Sequence, residues 1–430
     1  MKMVSTRHHG LSLLASLRGR TSSALQHPRV LRLMMLGDRA VLRVALSGKH
    51  ERLAKNVVLN SPGDGNIGDQ AMFESFVHNV PGQVVAVVKS PGAYSIADIS
   101  DKAKVSFLVT PNLVYSKFLS HYKDVWSLGR SIRGAESFSV MGADIMDGGY
   151  GVHSSMVEWN LARTIQESGI PSRILGFSWN GAANPEVIRQ AQKAGHAGVR
   201  ILPRDPDSLE RLVKDNVEGV VQAADLVFAF PADGSEPCPR LTAGPDENQD
   251  QKLAVVNVSG LIGRKIDQNP EYELILQTLH RLGYRCLLLP HVSHSKADDI
   301  DAISNLRSWS ALARSAEVVD SLISPSEVLS IVKRADVVVT GRMHLSILAL
   351  SAGIPVIVLA TQGKVSGLMK LFGIPDHCVE PTEGFGKRIS KLLHYIEKNR
   401  SSIRDESASN LQKVRLLSQL NFQHKWRFPE

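Results

Sequence analysis

The chain has 430 residues, of which 43% are hydrophobic and 21% charged. That composition fits two globular domains and excludes a disordered or collagen-like polymer. The formal charge of +8 sits in the first 50 residues, where nine Lys or Arg face a single acid, Asp38, and the rest of the chain balances to zero. A nucleic-acid groove needs cations spread over the folded body, so no nucleic-acid partner is expected.

Residues 1–50 therefore read as a basic leader, partly disordered or membrane-associating. Such a segment is drawn to an anionic membrane surface or remains a solvated tail. Its Arg-rich, acid-poor makeup is also that of organelle transit peptides. No run reaches the roughly 18 apolar residues of a membrane span. The nearest, 30–46, is broken by Arg32, Asp38, Arg39 and Arg43. Cys238, Cys286 and Cys378 lie far apart without a CxxC pair. This fits a reducing, cytoplasmic setting, with the chain soluble or peripheral at the inner face of a membrane, and argues against a disulfide framework.

From residue 56 short β-branched runs alternate with amphipathic stretches. Strands are predicted at Val57–Asn60, Val84–Val88, Val105–Val109, Ser137–Met141, Arg173–Phe177, Val199–Pro203 and Leu226–Phe230. Helical patterns include Gln70–His78, Met156–Glu167, Pro185–Lys193 and Asp207–Lys214. Residues 51–230 thus read as one Rossmann-like domain. Pro231–Lys252, rich in Pro, Gly, Asp and Glu, reads as a linker over 231–252. A second series follows over 253–380: strand Ala254–Val258, helix Pro270–Leu282, strand Cys286–Leu289, helices Lys296–Ser315 and Ser326–Arg334, strand Asp336–Thr340, helix Met343–Ala352 and strand Val356–Leu359. Residues 381–430 read as helices packing back across both domains. Apolar strands alternating with helices imply parallel sheets covered on both faces. The expected fold class is α/β, with two Rossmann-like domains facing a cleft. In such folds ligands bind beyond the carboxyl ends of the strands.

Three loops stand at predicted strand ends. Ser61-Pro62-Gly63-Asp64-Gly65-Asn66-Ile67-Gly68-Asp69 opens a helix without the Gly-Lys-Ser/Thr of a P-loop. Asp69 occupies a position suited to a helix cap. The alternative is that Asp69 and Asn66 face the cleft and bind sugar hydroxyls, since a carboxylate repels phosphate. Arg204-Asp205-Pro206 follows a strand; Asp205 and Pro206 read as N-cap and first helical residue, and Arg204 as an anion ligand. Gly341-Arg342-Met343-His344 precedes a helix, whose N-terminus favours anions. Residues 341–375 contain no Asp or Glu but hold Arg342, Lys364 and Lys370, so the ligand expected there is anionic. Lys370 reads as a solvated helix residue. Asp144, Asp147 and His153 belong to a further glycine-bearing loop. His291 and His294 lack a third nearby ligand, so no metal site is expected.

Gly65-Asn66-Ile67-Gly68-Asp69, the Gly142–Gly151 loop, Arg204-Asp205 with Ser208, Pro290-His291 and Gly341-Arg342-Met343-His344 with Ala352-Gly353-Ile354-Pro355-Val356 and Lys364 together resemble the polysaccharide pyruvyl transferase family. The ordered set spans about residues 55–375. Met343 stands where the family usually has Leu, and Ala143-Asp144 interrupts a common glycine run. The resemblance implies a fold like that of B-type glycosyltransferases. It further implies transfer of the enolpyruvyl group of phosphoenolpyruvate to a saccharide as a ketal, in exopolysaccharide or cell-surface glycan synthesis, with no cofactor. The acceptor could be lipid-linked. Arg204, Arg342 and His344 match the family's donor-binding and catalytic positions. His344 is then the proton donor and Asp69 or Asp144 the acceptor of the hydroxyl proton. Asn66, Gly68, Asp144, His153 and Lys364 are assigned to substrate binding. The N-terminal domain is the acceptor side and the C-terminal domain the donor side. Two rivals are a nucleotide-sugar glycosyltransferase of the same fold and a non-catalytic glycan-binding member. The first commonly needs a ribose-binding Glu on the helix that follows this strand, and Met343–Ala352 has none. Intact Arg204, Arg342 and His344 count against the second.

Overall fold

The computed structural model describes residues 28–48, 51, 53–116, 119–231, 251–294, 298–360 and 364–423. Two six-stranded sheets, both wholly parallel, form its frame. The first contains β1 (Lys55–Leu59), β2 (Gln83–Val88), β3 (Val105–Val109), β4 (Ser137–Met141), β5 (Ser172–Phe177) and β6 (Arg200–Pro203), in the order β3-β2-β1-β4-β5-β6. The second contains β7 (Lys252–Val256), β8 (Tyr284–Leu288), β9 (Glu317–Val318), β10 (Val337–Thr340), β11 (Val356–Leu359) and β12 (Cys378–Val379), in the order β12-β11-β10-β7-β8-β9. Each order reverses direction once, between β1 and β4 and between β7 and β10. Those reversals are the topological switch points where doubly wound sheets leave a crevice.

While the edge strands β3 and β9 stay partly exposed, most of the strands are buried by helices that cover both sheets. In the N-terminal half these are α1 (Pro28–Leu46), α2 (Ile67–Asn79), α3 (Leu119–Ser131), α4 (Val152–Glu167), α5 (Pro185–His196) and α6 (Pro206–Lys214). In the C-terminal half they are α7 (Gly260–Gly263), α8 (Asn269–Arg281), α9 (Asp299–Trp309), α10 (Ala311–Ser315), α11 (Pro325–Val332), α12 (Met343–Ser351) and α13 (Lys364–Leu371). Helix starts follow their local chemistry. Asn184 and Asp205 cap α5 and α6, each followed by a Pro that needs no N–H partner. Ser324 and Glu327 form a reciprocal capping box on α11.

One apolar cluster runs through both halves, from Met72 and Phe76 on α2 through Phe228 to Leu345 on α12 and Phe372. A shared apolar seam of this kind holds the floor of the cleft together. A separate cluster fills the outer face of the first sheet, where Trp159, Phe177 and Trp179 meet edge to face at 6.0–6.3 Å. After α14 (Phe385–Lys398) packs on α8, α15 (Arg400–Gln419) returns to the N-terminal half. There Ser418 Oγ donates to the Asp225 carbonyl at 2.8 Å, and Asn421 Oδ1 accepts from Gly176 N at 3.1 Å.

Four sequence expectations change. Residues 28–46 of the leader form α1, which buries Leu31, Met34, Met35, Leu42 and Ala45 against the N-terminal domain. The charge count hid this because the acid-free side of the helix faces solvent; residues 1–27 lie outside the described residues. Leu226–Phe230 is not a strand but a 3-10 turn at Leu226–Ala229, capped by Asp225 accepting from Val227 N at 3.0 Å. Its apolar run is buried by the domain seam rather than by a sheet. The single helix expected to Ser315 breaks at Ser310, whose hydroxyl caps α10. Asn66, not Asp69, caps α2, accepting from Gly68 N at 3.0 Å. Most of the Pro231–Lys252 linker (232–250) lies outside the described residues, and Lys252 already belongs to β7.

Candidate active site

Four loops leave the carboxyl ends of the strands at the two switch points: those after β1 and β4 in the first sheet, and those after β7 and β10 in the second. They enclose a cavity of about 710 Å³. Its wall includes Asn66, Asp69, Asp144 and Arg204 from the N-terminal half, and Arg342 and His344 from the C-terminal half. The halves are stitched beside it. Gly65 O accepts from Ser293 N at 2.8 Å, and Ile67 N donates to His291 O at 3.2 Å. Asn66 and Val292 form an antiparallel bridge. Gly65 has φ +75°, and a β-carbon there would lie 2.1 Å from the Ser293 oxygen, so only glycine permits the crossing.

Each half supplies a buried arginine held by its own carboxylate. Arg204, at the end of β6, donates from Nη1 to Asp225 at 2.8 Å and from Nε to Ser178 Oγ at 2.9 Å. Arg342, at the end of β10, donates from Nε and Nη2 to Asp299. Asp299 also accepts from Gly260 N, His291 N, Val292 N and Asn257 Nδ2 at 2.9–3.1 Å. Buried charge is tolerated when it is paired and hydrogen-bonded in this way. The pairing fixes where each guanidinium points, and both line the one cavity.

His344 stands on the first turn of α12, whose apolar residues bury the helix between the two halves. Its Nε2 lies 3.5 Å from Asp225 Oδ2, across the domain boundary. Burial alone would raise the Asp225 carboxyl, but His344 and Arg204 outweigh it and hold it well below the usual range. Asp225 thus ties the arginine of one half to the histidine of the other.

Because Asn66 takes the cap of α2, the Asp69 carboxyl is left to the cavity, with the Ser61 hydroxyl and Gly63 N–H as hydrogen-bond partners. Burial pushes its pKa up to about 6, with His344 opposing the rise and Asp144 adding to it. A carboxyl poised near neutrality beside a histidine can take or give a proton.

Asp144 lines the cavity and accepts from Tyr150 Oη at 3.0 Å. Gly68 is not in the wall but lies directly under the His344 ring. His153 is not brought to the cavity: it sits on α4 with Nε2 3.2 Å from the Ser116 carbonyl. Lys364 opens α13, and its side chain lies outside the described residues. Lys370 is exposed and pairs with Asp207 at 2.8 Å.

A family model described as polysaccharide pyruvyl transferase matches residues 66–363. The chain belongs to that family. The match takes in the loop from Asn66, Arg204 and the Arg342–His344 turn, so most of the cavity wall of this family member lies inside the matched region, with Ser61–Asp64 just before it. A comparison with curated proteins found no match. Among solved structures, the chain is similar to the UDP-GlcNAc 2-epimerase of Neisseria meningitidis bound to UDP-GlcNAc, with 11% identity, 85% of this chain and 97% of that one covered, and a TM-score of 0.54. It is also similar to Anabaena Alr3699/HepE in complex with UDP-glucose, with 10% identity, coverage of 86% and 96%, and a TM-score of 0.53. The UDP-GlcNAc 2-epimerase of Methanocaldococcus jannaschii has 10% identity, coverage of 78% and 91%, and a TM-score of 0.51. These likenesses concern the fold, which is the two-domain arrangement of B-type glycosyltransferases.

The cavity of this family member also contains residues to which sequence reading gave no role. Lys89 directly follows β2 and lines it, as do Arg264 and Tyr150. Lys89 obeys the strand-end rule and was legible in principle. Asp225 and Asp299 carry no local signal, because each is defined by the arginine it meets across the fold. His291 lines the wall with both ring nitrogens buried and without a hydrogen-bond partner. Burial, with His344 and Arg342 nearby, keeps its pKa well below the ordinary value, so it is neutral.

Proposed function

We propose that this protein transfers the enolpyruvyl group of phosphoenolpyruvate to a saccharide as a pyruvate ketal, in the synthesis of an exopolysaccharide or cell-surface glycan. The observation that carries the reading is the convergence of Arg204, Arg342 and His344 on one cavity that also holds the buried carboxyl of Asp69. Two arginines from opposite halves suit a compact ligand with a carboxylate at one end and a phosphate at the other. His344 gives a proton to the enol methylene, which becomes the methyl group. The resulting oxocarbenium-like carbon accepts a sugar hydroxyl, whose proton passes to Asp69 or Asp144. A second hydroxyl displaces phosphate and closes the ketal, its proton leaving with the phosphate. Arg204 and Arg342 stabilise the departing anion.

Placing the donor on the C-terminal side and the acceptor on the N-terminal side is supported by where the acids lie: Asp64, Asp69 and Asp144 all belong to the N-terminal half, and carboxylates suit sugar hydroxyls. The structural neighbours bound to UDP-sugars prompt the rival donor. The test is to supply the purified chain with phosphoenolpyruvate and a saccharide panel, following phosphate release and a mass gain of one pyruvate less one water. Turnover of UDP-sugars, with no phosphate release from phosphoenolpyruvate on any acceptor, overturns the reading.

A further inference from the structure

The N-terminal half carries a surface that the cavity chemistry does not use. α1 and α3 lie side by side: Gly37 faces Tyr122, and Gly129 faces Ala45. On the inner side of this seam both helices bury apolar residues in the core. On the solvent side they also present apolar residues. Leu33, Leu36 and Val44 of α1 are 67%, 58% and 59% exposed, and Leu119 and Trp126 of α3 are 85% and 41% exposed. At 3.6 residues per turn, Leu33, Ala40 and Val44 form one stripe and Leu119, Lys123, Trp126 and Arg130 another, both flanking the seam.

The charge on this face has one sign. Each helix has a single carboxylate, and both are buried and satisfied. Asp38 lies 2.6 Å from His121 Nε2 and accepts from Asn160, and Asp124 accepts from Asn112 N at 2.7 Å. The exposed ionisable groups of the two helices are Arg32, Arg43, Lys123 and Arg130; the only carboxylates paired to α1's arginines from neighbouring helices, among the described residues, are Glu186 on Arg32 and Glu167 on Arg39. Residues 1–27, which lead into α1, add Lys2, Arg7, Arg18 and Arg20 and no Asp or Glu. Exposed leucines, a tryptophan and cations without an acid are what the headgroup layer of an anionic bilayer accepts. A protein partner of mixed charge gives no reason for the lack of acids. No helix among the described residues is long and apolar enough to cross a membrane, so the contact is peripheral.

We propose that the outer face of α1 and α3 docks on an anionic phospholipid bilayer. Docking there orients the cavity. α3 follows the turn that carries Tyr115, over whose ring Lys89 Nζ sits at 5.0 Å, and Lys89 lines the cavity. The chain just before the docked face thus touches the Lys89 edge of the cavity wall. The docking itself does not depend on the pyruvyl-transfer reading.

The experiment is co-sedimentation of the full chain with vesicles of phosphatidylcholine alone and of equal parts phosphatidylcholine and phosphatidylglycerol. The wild type should bind only the anionic vesicles. Leu33→Glu with Leu119→Glu, and separately Lys123→Glu with Arg130→Glu, should each lower partitioning by about tenfold or more at unchanged melting temperature. In the wild type, Trp126 should be quenched by brominated lipid, and Trp126→Phe should remove that component; this readout stands even if a charge variant fails to fold. Equal binding to both vesicle types overturns the proposal. So does wild-type binding by the face variants with loss only on removing residues 1–27, which assigns the contact to the leader. A wild-type dimer that the face variants dissolve, with no vesicle binding, assigns the face to a second copy and also overturns it.

Discussion

The His344 ring rests on the backbone of Gly68, where a β-carbon would lie 2.1 Å from Nδ1 and 2.4 Å from Cγ. The contact crosses from α2 of one half to α12 of the other, and the ring also borders the cavity, into which it can be displaced. A glycine inside a helix costs about 1 kcal/mol relative to alanine, so this one has a steric reason to be there.

Gly68→Ala should therefore separate stability from activity. The helix gains propensity while the imidazole is pushed from its place between Asp225 and the cavity. Turnover is expected to fall by about 100-fold, the scale of an ångström-sized misplacement, with the melting temperature within a few degrees of the wild type. Steady-state kinetics beside differential scanning calorimetry would show it. Full activity would mean that the ring position is not critical.

His344→Gln should lower kcat by about 10²–10⁴-fold, the range of a lost general acid, while phosphoenolpyruvate still stabilises the fold in a thermal-shift assay. If His344→Ala leaves single-turnover chemistry intact and weakens binding alone, the residue is a binding group and not the proton donor.

Asp225→Ala should be the most destabilising of these changes. It strips the charge partner from Arg204, which is 2% exposed. An orphaned buried cation costs about 3–5 kcal/mol. Urea unfolding should show that loss, and adding Arg204→Met should restore much of it. Equal instability of the double variant would show that the stabilising element is not the ion pair.

Asp69 predicts opposite trends for stability and rate. Its folded pKa of about 6 lies above the ordinary aspartate value of 3.8. Between those values the native state holds a proton that the unfolded chain has released, so stability falls as pH rises through this window and levels off above about pH 6. Asp69→Asn should then be more stable than the wild type above pH 6, with the gap closing below pH 4. If ionised Asp69 is the base, wild-type kcat/KM should rise through an acid limb near pH 6. Melting curves and rate profiles over pH 4–8 test both.

Much of the frame was legible in the chain. Ser137–Met141 and Val356–Leu359 are strands at the boundaries their apolar runs indicate, because buried parallel strands need little beyond consecutive apolar residues, and the partly exposed edge strand Val105–Val109 keeps the same bounds. Asp205-Pro206 declared a helix start, because capping is a local matter of one side chain and nearby N–H groups. Arg204, Arg342 and His344 were found because they directly follow strands, and the crevice of a doubly wound sheet lies there.

What lay beyond the sequence involves groups distant in the chain. Leu226–Phe230 has the apolar residues of a strand, but the domain seam and not a sheet buries them. Asn66 and Asp69 are equally good caps by composition, and only the backbone at Asn66 decides which takes the role and which faces the cavity. His153 has the residue type of a ligand, yet α4 turns it toward Ser116. The carboxylates that orient the arginines, Asp225 and Asp299, stand 21 and 43 residues from their partners. The sequence by itself determined the alternation of strands and helices and the helix starts, because burial patterns and caps act over a few residues. The tertiary structure alone decided which charges meet, because burial and Coulomb pairing depend on distance in space and not along the chain.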